Sequence, residues 1–437
     1  MPVKLIMVIT SIILSFLMLF CNNVRAYGQD GYWRKPPMPQ DMANVDIYIG
    51  TRDVGHLIYT KYGHTIVRVV DKSSFTDIGY NWGTFDFNAP GFVPNFLRGL
   101  LIYQMSFGPW RNEVEVSRLE NQTMWMERVN LTDRQKKTVL DKIMWQSRPE
   151  NVNYPYLFFY DNCSTRVRDL LDLAVNGQIK ARTSARSTGR TYRDRVMEHN
   201  ASAPFFAMGQ DLILNSEPDK VMSEWEDMFI PGRLREYLMR MPAFDDLGQE
   251  IPGKTFLSDT VTLTEFPGPQ VPMINGYLQI WLIAGVPSLL GLILIRTTKL
   301  KKIGARLVGL SCIVLGSLWG AVGLFLAASW IFGSHTVLPR NANLWMVWPT
   351  DILYAGLGVW MLTKGRFIDL TSPSGLWMRR YTMAHLVGIV VLCVLTFGDI
   401  IDQHTFRIVA WFAPLTALVW STATTNLGLK ESRTVKQ

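Results

Sequence analysis

Cysteine is nearly absent from this 437-residue chain, which has four, at positions 21, 163, 312 and 393. So sparse a set excludes a disulfide framework. Histidine is scarce too, with six residues, and no Cys/His pair stands at ligand spacing, so no metal site is expected. No glycine-rich phosphate loop follows a strand, so no nucleotide is indicated, and no other cofactor is expected. Charged residues make up only 18% of the chain, yet the basic ones prevail and leave a formal net charge of +8. The excess falls in short loops between apolar runs and in an arginine-rich patch at 180–195. No nucleic-acid-binding module accompanies it, and anionic lipid head groups are the better-matched partner.

What the chain does have is uneven. The first two hundred and fifty or so residues read as globular and polar, and the rest is dominated by long apolar runs. Residues 1–26 have the parts of a secretory signal: Lys4, an apolar run from Leu5 to Phe20, and Val24-Arg25-Ala26 as the cleavage site. An uncleaved anchor is the other reading, and either one exports the region on its C-terminal side. Five later segments, near 275–295, 306–332, 344–363, 382–401 and 407–426, are apolar enough to cross a bilayer. The loops after the first and third, and the tail, carry most of the Lys and Arg, so they are expected inside. The first span then runs from outside to inside, as the signal segment also requires. Asp351, about a third of the way into the third segment, is either an intramembrane carboxylate and a candidate for orienting substrate or, with Trp345, Trp348 and Pro349 nearby, a residue at the interface.

Cys163 is the one cysteine in the exported region, because Cys312 and Cys393 lie in apolar runs. An unpaired cysteine there is either a reactive thiol or a small buried hydrophobe. It stands in "YPYLFFYDNCSTRVRDLL". After it, Val167, Leu170, Leu171 and Ala174 recur at helical spacing, while Arg166, Arg168, Asp169 and Asp172 take the polar side. Asn162, Ser164 and Thr165 are helix-capping types, and Gly177 is a plausible stop. Cys163 therefore sits at a helix N-terminus, where the dipole and free amides favour a thiolate and can serve as an oxyanion hole.

A thiol nucleophile of this kind needs a base. His64, in "KYGHTIVRVVD", begins a run rich in β-branched residues, and a turn at 71–76 leads into "DIGYNWGTFDF". The two runs read as a hairpin, with His64 at the start of its first strand. His56 lies in the connection before it, and His199 follows a basic loop. Triad logic asks for a third group to orient the imidazole. The second strand supplies Asn81 and Asp86, and Asn81 is preferred. Arg182, Arg186, Arg190, Arg193 and Arg195 are candidate phosphate contacts or a solvated loop. The aromatic tract from Tyr154 to Tyr160 lines an acyl channel or is core. Phe92, Phe96 and Leu97 form a membrane-facing loop or simply pack.

The segments "YGHTIVRVVD", "YNWGTFDF", "FLRGLLIYQM", "NLTDRQKKTVL", "RPENVNYPYLFFYDNCSTRVRDLL" and "WEDMFIPGRL" resemble the Lnb family of bacterial lipoprotein N-acyltransferases over about residues 45–240. The order, histidine first and Asn-Cys later, also resembles the circularly permuted papain-like fold of the NlpC/P60 and lecithin:retinol acyltransferase (LRAT-like) proteins. The resemblance implies an α+β periplasmic domain at 27–250, and the apolar runs and loop charges beyond it give a linker at 251–274, an all-α domain of five transmembrane helices at 275–426 and a cytoplasmic tail at 427–437. Together these readings give a multi-pass protein of the bacterial inner membrane. The resemblance further implies that Cys163 attacks a phospholipid acyl donor and passes the chain to the α-amine of a lipoprotein acceptor, with His64 moving the proton. Tyr62, Tyr160 and Asn162 are the expected substrate contacts. A cysteine amidase or peptidase acting on cell-wall peptides is the alternative enzyme. A membrane scaffold or sensor without chemistry is the alternative from another class.

Overall fold

The computed structural model describes residues 37–84, 95, 101–297, 299–333 and 336–424. The signal segment 1–26, Asp86, the apolar residues Phe92, Phe96 and Leu97, and the tail 427–437 lie outside the described residues. Contacts divide the chain into two units: residues 1–190 with 221–270, and residues 191–220 with 271–437.

The first unit is built on a seven-stranded sheet. Its strands are β1 (Val45–Arg52), β2 (His64–Asp71), β3 (Thr76–Thr84), β4 (Ile102–Pro109), β5 (Met124–Val129), β6 (Asn153–Pro155) and β7 (Leu257–Thr264). They run in the order β7-β5-β1-β2-β3-β4-β6, and every neighbouring pair is antiparallel. The expected hairpin is β2–β3, with Ile66 opposite Asn81 and Asp71 opposite Thr76. Its turn is closed by Asp71, whose carboxylate accepts from the Ser73 amide at 2.9 Å and the Ser74 hydroxyl at 2.7 Å. Residues 257–264, read from sequence as linker, instead form the edge strand β7.

Alternation along the strands gives the sheet two faces. On one, Ile47, Ile49, Val67, Val69, Tyr80 and Trp82 are buried against helices α2 (Asp133–Gln146) and α3 (Cys163–Ala174) and the helix Pro231–Met239. The α3 contribution is the expected stripe of Val167, Leu170, Leu171 and Ala174. Each of its larger members contributes roughly 2 kcal/mol by leaving water. Arg168, expected on the polar side, is 7% exposed and lies 3.9 Å from the Trp225 ring centre.

The other face is covered by helix α1 (Trp110–Leu119), and glycine makes that cover possible. A Cβ at Gly50 would come 2.5 Å from the Trp110 ring, and one at Gly79 would come 3.0 Å from Glu113 Cγ. With hydrogen at both positions, α1 lies directly on β1 and β3 and carries Glu113 to the row that holds Asn81.

The second unit holds four helices long and apolar enough to cross a membrane: Gly276–Leu294, Lys301–Phe332, Pro373–Phe397 and Phe406–Ala423. The remaining expected span, near 344–363, folds as short 3-10 turns followed by the 13-residue helix Ile352–Lys364. At 1.5 Å per residue that helix is about 20 Å long, short of the ~30 Å hydrocarbon core. It packs on Lys301–Phe332 through small residues, since a Cβ at Gly309 would meet the Gly358 carbonyl at 2.8 Å and one at Gly316 the Ala355 amide at 2.5 Å.

Residues 191–220 are held inside this unit by a buried ionic network. Arg193 donates to Asp211 at 2.8 Å, to Asp219 at 2.5 Å and to the Asn215 carbonyl at 2.6 Å. Tyr277 donates to Asp211, and the His404 amide donates to Asp219 at 2.9 Å.

Candidate functional site

His64 begins β2, and Asn81 lies diagonally across the β2–β3 ladder on the same face. The His64 Nε2 to Asn81 Oδ1 distance is 2.7 Å. A carbonyl oxygen only accepts, so Nε2 carries the proton and Nδ1 is left as the basic nitrogen.

Cys163 is the first residue of α3, and its approach is fixed by the cap. Asn162 Oδ1 accepts from the Ser164 and Thr165 amides, both at 2.9 Å. Asn162 Nδ2 donates to the Phe158 and Phe229 carbonyls, also at 2.9 Å each. The side chain of Asn162, expected as a substrate contact, is thus bonded within the domain at both ends. It sets where the thiol stands.

Gly83 lies against both Cys163 and His64. A Cβ on this glycine would sit 3.5 Å from His64 Cε1 and 3.7 Å from Cys163 Cβ, and its φ of +120° is one that L side chains rarely adopt. The β3–β4 pairing shifts register there, between Trp82 and Thr84. A glycine inside an otherwise β-rich run was the sequence signal for this position.

Burial governs the charge state of the pair. It pushes the Cys163 thiol up to about 11, against the amides of Thr65, Ser164 and Cys163 itself and the charge of Arg52, which favour the thiolate. Burial also pushes His64 down to about 4, and Arg52 adds to that shift while the bond to Asn81 opposes it. At neutral pH the resting pair is therefore an uncharged thiol beside an uncharged imidazole. The helix-start argument anticipated a thiolate, and loss of hydration outweighs the helix end here.

Two charged residues that sequence reasoning did not single out complete the surroundings. Arg52 pairs with His64 across β1–β2. Its guanidinium is ion-paired with the Glu113 carboxylate and donates to the Glu113 carbonyl at 3.0 Å. Asn81 Nδ2 points to Glu113 Oε1 at 3.5 Å. Neither had a local signal, because the β1–β2 register and the seating of α1 are both long-range.

The aromatic tract divides. Tyr154 and Phe159 are core, at 3% and 4% exposure, whereas Leu157 and Tyr160 are exposed. Tyr103 and Tyr156 stack at 4.1 Å, and Tyr62 meets Phe158 edge-on at 4.7 Å. Burial, together with the nearby Cys163, raises the phenols of Tyr103 and Tyr154, so they stay protonated beside the sulfur. Tyr62, which precedes His64 by two residues, and Tyr160, which precedes Cys163 by three, come from the two loops that lead into the pair. Arg193 is turned into its buried ion pairs and is not available to a lipid phosphate. Asp351 is buried too. Its carboxylate accepts from the Trp348 amide at 2.8 Å, Tyr381 at 2.9 Å and His385 at 3.0 Å, so it anchors the start of Ile352–Lys364.

An α+β domain joined to apolar helices of membrane-crossing length defines the class, a membrane protein with a globular domain of its own. Residues 41–196 match the family model described as the Lnb N-terminal periplasmic domain. The match contains His64, Asn81, Glu113 and Cys163. No curated protein and no solved structure matched the chain.

Proposed function

We propose that this protein is a thiol-dependent lipoprotein N-acyltransferase of the bacterial inner membrane. Its α+β domain is read as a circularly permuted papain-like (NlpC/P60, LRAT-like) catalytic domain in the periplasm. Four long helices and the shorter Ile352–Lys364 are read as the membrane part, with the C-terminus in the cytoplasm. The observation that carries this reading is that Cys163, at a capped helix start, and His64, bonded to Asn81, both lie against Gly83 in a chain that also has helices long and apolar enough to cross a membrane.

The reaction has two steps. In the first, His64 Nδ1 takes the thiol proton as Cys163 Sγ attacks the ester carbonyl of a phospholipid. The C–O bond breaks, the lysolipid alkoxide leaves with the proton from His64, and a thioester remains. In the second, the α-amine of the lipid-modified N-terminal cysteine of a lipoprotein attacks that thioester. The C–S bond breaks, an amide forms, and a proton from the amine returns to the sulfur by way of His64. An uncharged resting pair suits this order, because the thiolate forms only as substrate closes over the site. It also limits loss of the thiol to stray electrophiles.

Acyl trapping tests the reading. The full chain in detergent is incubated with phospholipid and examined by intact mass. The expected result is an acyl adduct removed by hydroxylamine on the wild type and no hydroxylamine-labile adduct on Cys163→Ala. A wild type that forms no adduct but cleaves cell-wall peptides overturns the acyltransferase in favour of the amidase. Neither activity, with Cys163→Ala indistinguishable from wild type, leaves the scaffold reading.

A further inference from the structure

We infer that Glu113 is a positioning residue of the thiol site, holding Asn81 so that its carbonyl faces His64 and neutralising Arg52 beside Cys163. The inference rests on the reading of Cys163 and His64 as the reacting pair.

The Asn81 amide can stand in either of two orientations. Its two ends are nearly the same shape, and only one can face His64. If the NH2 faced the imidazole, it would donate to Nε2 and drive the ring proton to Nδ1, the nitrogen needed as base. A carboxylate can only accept, and Glu113 Oε1 lies on the side of Asn81 away from His64, at 3.5 Å from Nδ2. With the NH2 drawn there, Oδ1 is left for His64 at 2.7 Å. Glu113 thereby selects the imidazole tautomer through an intermediary, without touching the ring.

The same carboxylate has a second task. Arg52 is 6% exposed, and among the described residues Glu113 accepts both of its side-chain hydrogen bonds, one at the carboxylate and one at the carbonyl. A buried guanidinium without its counter-charge would bear on both reacting groups, since it stands opposite His64 in the ladder. Other groups face the cluster as well. Glu120, bonded to Tyr59 at 3.1 Å, lies within the field of Arg52, and Tyr103, Tyr154 and Tyr156 stand on the Cys163 side. Asp161 and Arg166 form an ion pair of their own next to Tyr154. None of these bonds both Arg52 and Asn81. Glu113 does, and glycine at 50 and 79 is what lets its helix come close enough.

The test reads the pair directly and uses no lipid. Carboxamidomethylation of Cys163 by iodoacetamide is followed by peptide mass across pH in the full chain in detergent. In Glu113→Gln the carboxylate is gone and Arg52 remains, so the alkylation midpoint falls by about one pH unit and the rate at pH 8 rises about tenfold. Glu113→Asp keeps the charge and holds the midpoint near that of the wild type. A Glu113→Gln protein whose midpoint matches the wild type overturns the inference. If that variant does not fold, the wild type still decides the matter. Nitrogen-15 histidine spectra, assigned with His64→Gln, should show His64 protonated at Nε2 and bare at Nδ1 at pH 7. The opposite tautomer overturns the inference. Because neither measurement involves acyl transfer, a protein that passes both yet forms no acyl adduct refutes the proposed reaction and leaves Glu113 in its role.

Discussion

At the scale of single residues, the site is a case of burial setting charge. Cys163 and His64 are each pushed toward their uncharged forms by lost hydration. For His64 the shift has a thermodynamic counterpart. Its folded value of about 4 lies below the ordinary 6.5, so the unfolded chain binds the proton first as pH falls. The stability it confers is complete above pH 6.5 and is lost progressively down to pH 4, for a total of about 3 kcal/mol. Thermal melting of the wild type between pH 7 and 4.5 should fall more steeply than that of His64→Gln, which has no such proton to bind. Parallel slopes would mean that the imidazole is hydrated in the folded protein. Asn81, preferred from the sequence as the orienting group, faces His64, whereas the alternative Asp86 lies outside the described residues.

At the scale of elements, α3 shows what could be read in advance. Its apolar stripe, its capping residues and the hairpin bearing His64 are all local patterns, and the structure has each of them where the pattern put it. The cap goes further than the pattern. Asn162 satisfies two amides and two carbonyls, one of them 67 residues away in sequence. Asn162→Ala is therefore expected to lower stability by about 2 kcal/mol, at the upper end for a lost cap, seen as a lower urea midpoint. Asn162→Asp should retain the amide bonds and recover part of that loss. What could not be read are the elements placed by distant contacts. Helix α1 is amphipathic wherever it is put, and only the paired glycines on β1 and β3 say where it lies. Strand β7 looks like linker because an edge strand needs only one buried side. The third apolar run has the hydropathy of a span, but Pro349 and the Asp351 anchor shorten its helix to 13 residues.

At the scale of the whole molecule, each unit keeps its own polar anchor inside. In the α+β unit it is Arg52 with Glu113, and among the apolar helices it is Asp351 with Tyr381 and His385. Removing the acceptor strands the Trp348 amide and His385, while Tyr381 keeps Thr350, so Asp351→Ala should cost about 3 kcal/mol. The loss is measurable as a drop in the melting temperature of the detergent-solubilised protein, and Asp351→Asn should recover some of it. A melting temperature unchanged in Asp351→Ala would show that water reaches these groups. The Arg193 network belongs to the same scale, and it has a consequence for biogenesis. Arg193, Asp211 and Asp219 leave the ribosome some two hundred residues before His404 and Arg407, which complete the cluster. Until then two carboxylates share one guanidinium, and the segment 191–220 lacks its final seat. Loop closure over that length is slow. The nascent chain must therefore carry an unfinished insertion through synthesis of the apolar helices, and the last of them, Phe406–Ala423, is the one whose arrival ends the wait.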